Sequence, residues 1–356
     1  MADPQPYQQL LSLADLLTPS AIRAAATLRV ADHLAAGATT AREVAERAQA
    51  RPDLTEALLR QLARTGLLTE TGGTPDGERR FALTPLGEPL RSDHPSGARE
   101  ALRNDSMMGG SALSLLRLDH TVRTGEPALA AESGGSYWEK VNGDARYAEE
   151  WAAQARAVDE NAGGPLHWDA DNIVTAYDWS GVRRVVDVGG HLGVILMALL
   201  RKHPHLHGTL VDLKNVAEQA AARFAHSDVA DRATAVVGSF FDPLPEGADV
   251  YLISAILADW SDDDAVRILR GCAAAAGSHG RILLAEVAMP TGDPAVELRL
   301  RSMMPAPSRS VAELEALAAR AGLEVTWRGP ATAARTLLEL TPPRTADRAG
   351  EVPARG

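Results

Sequence analysis

The feature that most constrains this 356-residue chain is an alternation of short buried strands with helices from Val182 onward. The strand-like runs are RRVVDVGG, GTLVDL, ATAVVGSFF, ADVYLISAIL and GRILLAEVAM, and the helical runs between them include VILMALLRKH, VAEQAAARFA and DDDAVRILRGCAAAA. Such alternation predicts parallel βαβ units, because parallel strands need a long crossover connection. After a further helix, SVAELEALAARAG, the runs LEVTWRG and ARTLLELT could close the sheet as a hairpin. Residues 176–341 are therefore predicted to form a doubly wound α/β domain.

The first predicted strand leads into a turn rich in glycine. It contains Asp187 and is followed by Gly189, Gly190 and Gly193. Glycines at this point let the backbone approach a ligand and turn into a helix. Asp212 ends the second strand, 25 residues beyond Asp187, where a carboxylate can accept both ribose hydroxyls of a nucleoside. This order of strand, glycine turn, helix, strand and acid predicts a nucleoside-binding pocket.

The first hundred residues have the pattern of helices followed by a hairpin. The run LLTPSAIRAAATLRVADHLAAGA predicts one helix that begins near Pro19 and ends near Gly37. Thr40 and Glu43 have the spacing of a capping box, and Gly66 is the expected C-cap of the next helix, DLTEALLRQLARTGLL. The turn-rich TGGTPDG and the alternating ERRFALT add a β-wing. Three helices and a wing make a winged-helix module, which could bind DNA, mediate dimerisation or cover a substrate.

Charge and composition bear on this choice. The net charge is −11 and the sequence pI is about 5.4, and no Lys/Arg stripe marks the second or third helix, so dimerisation or a lid is favoured over nucleic-acid binding. One cysteine, Cys272, excludes a disulfide framework and a Cys-rich metal site. There is no apolar run of about 18 residues, as a membrane span would need, and no signal-peptide pattern. We therefore expect a cytoplasmic protein with no membrane partner.

These patterns divide the chain into four segments. The middle segment is helical and irregular, with Gly/Ser breaks expected at 109–111 and 133–136, and the last has no apolar period. The predicted segments are a winged-helix-like dimerisation domain (1–100), a helical linker or substrate-lid region (101–175), the α/β domain (176–341) and a disordered tail (342–356).

The motifs, in this order, resemble those of the bacterial small-molecule O-methyltransferases, which use S-adenosylmethionine (SAM). The likeness covers roughly residues 10–340 and points to the branch of the anthracycline 4-O-methyltransferases and the aclacinomycin 10-hydroxylase. It implies a Rossmann-like class I SAM methyltransferase domain, a homodimer formed through the N-terminal helices, and an aromatic, polyketide-like substrate between the domains. The segments that carry the resemblance are VVDVGGHLG, GTLVDLKNV, GSFFDPLPEGADVYLISAILADWSDDDAVRILRGC, GRILLAE, TPSAIRAAATLRVADHLAAGA and VRTGEPALAAESGGSYWEKVNGDARYAEEW.

The resemblance also implies cofactor contacts, position by position. Asp187 and the three glycines of the turn would line the methionine end of SAM, and Asp212 would bind the ribose. The other implied cofactor contacts are Leu213, Ser239 and Phe240 around the adenine, and Ser254 where the fourth strand faces the cofactor.

Four departures from the family pattern stand out. His191 replaces a glycine of the turn, and Ser239 replaces the aspartate that accepts from the adenine amino group. Ala258 replaces the histidine that deprotonates a phenol in many relatives. Residues 303–310, MMPAPSRS, replace a Gly-Gly-x-x-x-Thr loop and look shortened.

Two residues are candidate catalytic groups: Asp259, which follows Ala258, and His191, which is itself one of the departures. Asp259 could act as a base, or it could cap the helix that begins in SDDDAVRIL. His191 could act near the sulfonium, or it could be a tolerated substitution that reshapes the turn. The acidic run 262–264 suits a helix N-terminus better than a metal, and no cluster has ligand spacing, so we expect no metal. The predicted substrate contacts are Trp138, His167, Trp260 and Met303.

Two enzymatic hypotheses follow, and one that is not enzymatic. The first is a SAM-dependent O-methyltransferase of secondary metabolism that acts on an aromatic or polycyclic molecule. The anthracycline branch also lacks the histidine, and alignment of an activated methyl group can supply much of the rate. The alternative is a methyltransferase-fold enzyme that has lost methyl transfer and catalyses cyclisation, rearrangement, decarboxylation or hydroxylation, with SAM absent or non-reactive. The third is a regulator that binds DNA through the winged helix.

Overall fold

The chain is described by a computed structural model. It forms two compact units, residues 1–113 and 114–356. No helix in the described ranges has the length and apolar character needed to cross a membrane. The described residues are 4–73, 77–134, 136–160, 166, 169–288, 292–330 and 332–343.

The first unit is helical with one two-stranded antiparallel sheet, as the sequence predicts. Its core is an apolar cluster that includes Ala26, Val44, Leu59 and Phe81, each 2 % exposed or less. Its elements are α1 (Pro4–Leu13), α2 (Leu17–Thr27), α3 (Val30–Ala35), α4 (Ala41–Ala48), α5 (Pro52–Arg64), β1 (Leu68–Gly73), β2 (Arg79–Leu83), α6 (Ala98–Leu102) and α7 (Met107–Ser111).

The predicted capping box is confirmed, and the glycine predicted as a C-cap lies one residue beyond the actual C-cap, Thr65. Thr40 caps α4 as a capping box: the backbone N–H of Glu43 donates to the Thr40 hydroxyl at 3.3 Å, and the Thr40 N–H donates to the Glu43 carboxylate at 3.1 Å. Gly66 follows α5 with a φ of 79°, a left-handed conformation that glycine adopts without steric cost.

Two local predictions for this unit are wrong. The single helix expected between Pro19 and Gly37 is two helices, because Arg29 adopts a φ of 56° between α2 and α3. Beside this interruption, the Thr27 hydroxyl donates to the Arg23 carbonyl at 2.8 Å and accepts the Asn104 N–H at 2.9 Å.

The break expected at 109–111 is also absent. These residues lie in α7, which Ser106 caps by accepting the Gly109 N–H at 2.9 Å. A Cβ on Gly109 would lie 2.1 Å from the Arg103 carbonyl oxygen, so this glycine serves close packing in a helix and does not end one. The other expected break, at 133–136, is confirmed, because one helix ends at Ser133 and the next begins at Tyr137.

The second unit contains the predicted doubly wound α/β fold. Its helices are α8 (Leu118–Thr124), α9 (Ala128–Ser133), α10 (Tyr137–Gly143), α11 (Ala145–Glu160), α12 (Asp171–Thr175), α13 (Val194–Lys202), α14 (Lys214–Ala225), α15 (Asp262–Ala276), α16 (Pro294–Met303) and α17 (Val311–Arg320). Its strands are β3 (Arg184–Val188), β4 (His207–Asp212), β5 (Ala233–Val237), β6 (Val250–Ser254), β7 (Arg281–Val287), β8 (Glu324–Arg328) and β9 (Arg335–Thr341).

The sheet order is β5-β4-β3-β6-β7-β9-β8. Strands β3 to β7 pair in parallel, and β9 pairs antiparallel with both β7 and β8, which confirms the predicted hairpin. Alternate side chains of each central strand enter one of two apolar cores, so both faces of the sheet are buried. The direction of winding reverses between β3 and β6, and the crevice beyond the carboxyl ends of these strands is where such folds bind ligands.

Candidate cofactor and active site

The turn after β3 is built so that only glycine fits at several positions. A Cβ on Gly190 would lie 2.3 Å from Oδ2 of Asp187, and one on Gly193 would lie 2.4 Å from the ring of Phe224. Gly189 and Gly193 also adopt a φ of 71°. The backbone therefore passes close over the Asp187 carboxylate and turns directly into α13.

Asp187 is 1 % exposed, and its Oδ2 has no hydrogen-bond partner among the described residues. Burial, with a smaller effect from the nearby Asp212 carboxylate, raises the pKa of Asp187 to about 7. An unpartnered buried carboxylate is costly. A ligand cation would supply what it lacks.

Asp212 lies at the end of β4, as predicted. Its two carboxylate oxygens accept the N–H groups of His191 at 2.8 Å and Leu213 at 2.7 Å. Each oxygen has a further lone pair that can accept a ribose hydroxyl. Burial raises the pKa of Asp212, although these two hydrogen bonds oppose the shift. Leu213 precedes α14 and leaves an apolar side chain 49 % exposed.

His191 adopts a φ of 52°, in the left-handed region that favours glycine. Its ring lies against Trp151 of α11, with 4.4 Å between ring centroids and a tilt of 45°. Burial lowers the pKa of His191 to about 4, so the imidazole is neutral at pH 7. The substitution adds a ring contact with Trp151, while the backbone keeps a conformation that favours glycine.

Ser239 and Phe240 follow β5. The Ser239 hydroxyl accepts the Phe241 N–H at 3.1 Å, and a Cβ on Gly189 would lie 3.3 Å from the Phe240 ring. Phe240 therefore borders the glycine turn. It forms an aromatic cluster with Phe241 and Trp260, in which ring centroids are 4.8 to 5.6 Å apart.

Asp259 lies after β6, in a short 3-10 turn over Leu257–Asp259 that includes Ala258. Its carboxylate accepts the indole N–H of Trp138 at 2.8 Å. Burial, reinforced by the Glu286 carboxylate, raises the pKa of Asp259 to about 8. Asp259 is not a helix cap, because the Ser261 hydroxyl accepts the Asp264 N–H and caps α15. The capping interpretation of Asp259 is thus wrong, and its carboxylate is held by a side chain of α10.

Three charged residues around this turn were not found from the sequence. Glu286 is 3 % exposed and accepts the Leu257 N–H at 2.8 Å. Arg309, which lies in the departing segment 303–310, is 9 % exposed and donates to the carbonyls of Leu257 and Trp260. Arg335 of β9 donates to the Ser254 hydroxyl at 3.3 Å and the Ala285 carbonyl at 2.8 Å. A glutamate at the carboxyl end of the buried run RILLAEV was the available signal, since charge there lies at the ligand-binding edge.

The remaining predicted substrate contacts are only partly located. Trp138 bonds Asp259, and Met303 is the half-buried last residue of α16. Trp260 packs edge-on against Phe240 and Phe241. His167 lies outside the described residues. The acidic run 262–264 occupies the first turn of α15, where it complements the helix dipole.

Comparison with protein families gives two matches. An O-methyltransferase domain matches residues 118–324, and an O-methyltransferase dimerisation domain matches residues 11–93. These ranges cover most of both compact units.

Individual relatives are similar over nearly the whole chain. A 2,7-dihydroxy-5-methyl-1-naphthoate 7-O-methyltransferase of Streptomyces carzinostaticus is 44 % identical over 320 residues, which is 89 % of this chain and 92 % of the relative. The aclacinomycin 10-hydroxylase of Streptomyces purpurascens is 41 % identical over 321 residues, 88 % and 83 % of the two chains.

Among solved structures, an O-methyltransferase of neocarzinostatin biosynthesis matches with a TM-score of 0.82 and 42 % identity. The match covers 94 % of this chain and 98 % of that one. Its crystals contain S-adenosyl-L-homocysteine (SAH) and 1,4-dihydroxy-2-naphthoic acid. Another crystal structure of that enzyme contains SAM and a hydroxy-methyl naphthoic acid.

Proposed function

The chain belongs to the O-methyltransferase family, and on this basis we propose that it transfers the methyl group of SAM to a hydroxyl of an aromatic, polyketide-like molecule. The single observation that carries this proposal is a pair of carboxyl groups with raised pKa values at the switch point of the sheet. Asp187 is buried beneath the glycine turn, and the partly buried Asp259 follows the neighbouring strand. The carboxylate of Asp187 suits a cationic cofactor, and that of Asp259 suits the acceptance of a proton from the substrate.

The residues present fit SAM. Asp187 offers an unpartnered acceptor to the ammonium of the methionyl group, and the bare backbone of Gly190 leaves the approach open. Asp212 retains lone pairs for the ribose hydroxyls. Leu213 and Phe240 provide apolar surface suited to an adenine. Ser239 offers a hydroxyl in place of the usual carboxylate, although that hydroxyl already accepts the Phe241 N–H.

When bound, SAM supplies an electrophilic methyl group on a sulfonium. The protein must align a hydroxyl oxygen with that carbon, exclude water and accept a proton. We assign the last role to Asp259, since Ala258 has no proton acceptor. A carboxyl group with a pKa of about 8 is closer to a phenol in basicity than an exposed aspartate, so the proton transfer is less unfavourable.

A direct test is to incubate the protein with SAM and a dihydroxynaphthoate and to analyse the products by mass spectrometry. We expect a product heavier by one methylene unit, formed in step with SAH. Absence of SAH binding by calorimetry would contradict the proposal.

The alternative is the altered chemistry named above, with hydroxylation as the best supported form. It is favoured by 41 % identity to a protein described as a hydroxylase, by the absence of a base at Ala258, and by the ring of His191 inside the cofactor turn. The same incubation separates the two functions. A new product formed without consumption of SAM supports the alternative, and a methylated product excludes it.

We also propose that the chain forms a homodimer through its first unit. That unit matches a dimerisation domain. Its first two helices and the turn between them expose a row of large apolar side chains, each 53 to 80 % exposed. They are Tyr7, Leu10, Leu11, Leu13, Leu16 and Leu17. Light scattering should give twice the chain mass. The cytoplasmic location and the absence of nucleic-acid partners remain predictions of the sequence.

A further inference from the structure

Two buried polar atoms beside the glycine turn have no hydrogen-bond partner in the part of the chain that the structure describes. One is the acceptor Oδ2 of Asp187, and the other is the donor Nε1 of Trp151. Buried polar groups in native proteins are nearly always bonded, so each unmet group calls for an explanation.

The two atoms belong to side chains that contact consecutive residues of one loop. The Asp187 carboxylate lies against Gly190, where a Cβ would come within 2.3 Å of it. The Trp151 ring lies against His191, with 4.4 Å between the ring centroids. An unmatched acceptor and an unmatched donor therefore both belong to side chains that contact this loop.

These two groups complement the two charges of a free amino acid. An ammonium donates and suits the carboxylate of Asp187, whereas a carboxylate accepts and suits the indole N–H, which can only donate. We propose that Trp151 is a cofactor-binding residue whose indole N–H donates to the carboxylate of the methionyl group of SAM. This inference rests on the proposed function, since it assumes that SAM occupies the turn.

His191 has the part of a positioning residue. Its ring is the aromatic neighbour of Trp151, and its backbone N–H bonds the Asp212 carboxylate at 2.8 Å. One residue thus links the indole, through its ring, to the ribose-binding acid, through its backbone N–H. Because the imidazole is neutral at pH 7, it supports the indole without adding a cation of its own.

The helix that carries Trp151 is fastened to the same loop. The guanidinium of Arg223 donates to the Asp159 carboxylate at 2.8 Å and to the carbonyl of Leu192. It also reaches the Ala155 carbonyl at 3.4 Å. With Asp159 and Ala155 in α11 and Leu192 in the turn, the indole is held at a fixed place relative to the cofactor loop.

The test compares two ligands by titration calorimetry: SAH, and decarboxylated SAH, which lacks only the methionyl carboxylate. Trp151→Phe removes the donor and keeps a ring against His191. We expect it to weaken SAH binding about tenfold, which corresponds to about 1.4 kcal/mol, and to leave the affinity for decarboxylated SAH unchanged. Trp327→Phe, which removes an indole from β8, is the matched control and should change neither affinity.

Equal losses for both ligands in Trp151→Phe would mean that the indole only packs, and no loss for SAH would mean that it does not bind the carboxylate. Either result overturns the inference. His191→Gly should weaken SAH binding less than Trp151→Phe does, and the double variant should lose no more than Trp151→Phe alone, because both act through one bond.

The unmodified protein gives an independent test should the Trp151 variant not fold. It should bind SAH about tenfold more tightly than decarboxylated SAH, and equal affinities would also overturn the inference. If the unmodified protein binds neither ligand, the proposed function itself fails, and this outcome is distinct from the others.

Discussion

The hydrogen bond between Trp138 and Asp259 allows the proposed base to be tested without removing it. The indole N–H donates to Oδ2 of Asp259 at 2.8 Å and stabilises the ionised carboxylate, so this bond lowers a pKa that burial and Glu286 raise to about 8. Trp138→Phe keeps an aromatic ring and deletes the donor. The pKa of Asp259 should therefore rise.

The size of the rise follows from the strength of the bond. A hydrogen bond to a charged group contributes about 1.5 kcal/mol at the lower end of its range, and one pKa unit corresponds to about 1.4 kcal/mol. The pKa of Asp259 should rise by about one unit. At pH 7, the ionised fraction would fall from about one tenth to about one hundredth, so kcat/KM should fall about tenfold.

The assay is kcat/KM for methyl transfer measured from pH 5.5 to about pH 9.5. An ionised base is required, so the rate should rise with pH through the pKa of Asp259, and in Trp138→Phe this limb should move about one unit upward. The high-pH plateau should change little. Asp259→Asn should abolish the limb.

Other groups around Asp259 define the controls. Tyr137 packs edge-on against Trp138, with ring centroids 5.1 Å apart, and burial raises its pKa, so it stays neutral over the assay range. Tyr137→Phe should therefore leave the limb in place. Arg309 donates to backbone carbonyls on both sides of Asp259. Two substrates whose phenols differ in pKa separate substrate ionisation from that of the enzyme. If the pKa of the rising part of the pH–rate profile shifts with the phenol pKa of the substrate, Asp259 is not the base. The same conclusion follows if that pKa does not change in Trp138→Phe.

Three further predictions test the cofactor turn and the loop that carries Asp259. Gly193→Ala places a Cβ on a residue with a left-handed φ of 71° and only 2.4 Å from an aromatic ring. Calorimetry should therefore show loss of SAH binding, and thermal melting should show a lower Tm. Gly181→Ala, where nothing lies within 4 Å of the added atom, should match the parent in both. Arg309→Met leaves two backbone carbonyls without their buried donor and should lower the free energy of unfolding by about 3 kcal/mol in urea titrations. The same change at the exposed Arg328 should lower the free energy of unfolding by less than about 1 kcal/mol. Equal losses for the two variants would mean that the hydrogen bonds of Arg309 to the two carbonyls do not stabilise the fold. The pKa of Asp187 is raised from 3.8 to about 7, so its burial destabilises the free protein progressively as pH rises between these values. SAH affinity should rise over the upper part of this window, as the carboxylate ionises to pair with the ammonium, and a flat profile would exclude that pairing.

Most of the second unit could be predicted because its signals are local. Apolar runs of five to seven residues, glycines at fixed places and an acid at the end of β4 all record constraints of a parallel sheet. The first unit shows the limit. The interruption at Arg29 carries no glycine or proline, and the nearby Thr27 hydroxyl accepts the N–H of Asn104, which is distant in the sequence.

The site residues that lie at strand ends could also be predicted, because their signals are local, whereas residues that depend on helix packing could not. Asp187, Asp212 and the glycines follow from strand ends, but the roles of Trp138 and Trp151 depend on where two helices of the 101–175 segment pack. A sequence shows that Asp259 precedes a helix, and capping is then a reasonable hypothesis. Only the structure shows that Ser261 performs the capping and that an indole 121 residues earlier in the chain holds the carboxylate.

The position of β9 has a consequence for how the domain is made. It is the last strand along the described chain, yet it lies inside the sheet between β7 and β8, and its first residue, Arg335, bonds Ser254 and the carbonyl of Ala285. During synthesis on the ribosome, the edges of β7 and β8 that pair with β9 stay unpaired until β9 emerges. A nascent chain halted before residue 335 should therefore bind chaperones, and its ability to hold a cofactor should appear only after β9 has paired with β7 and β8.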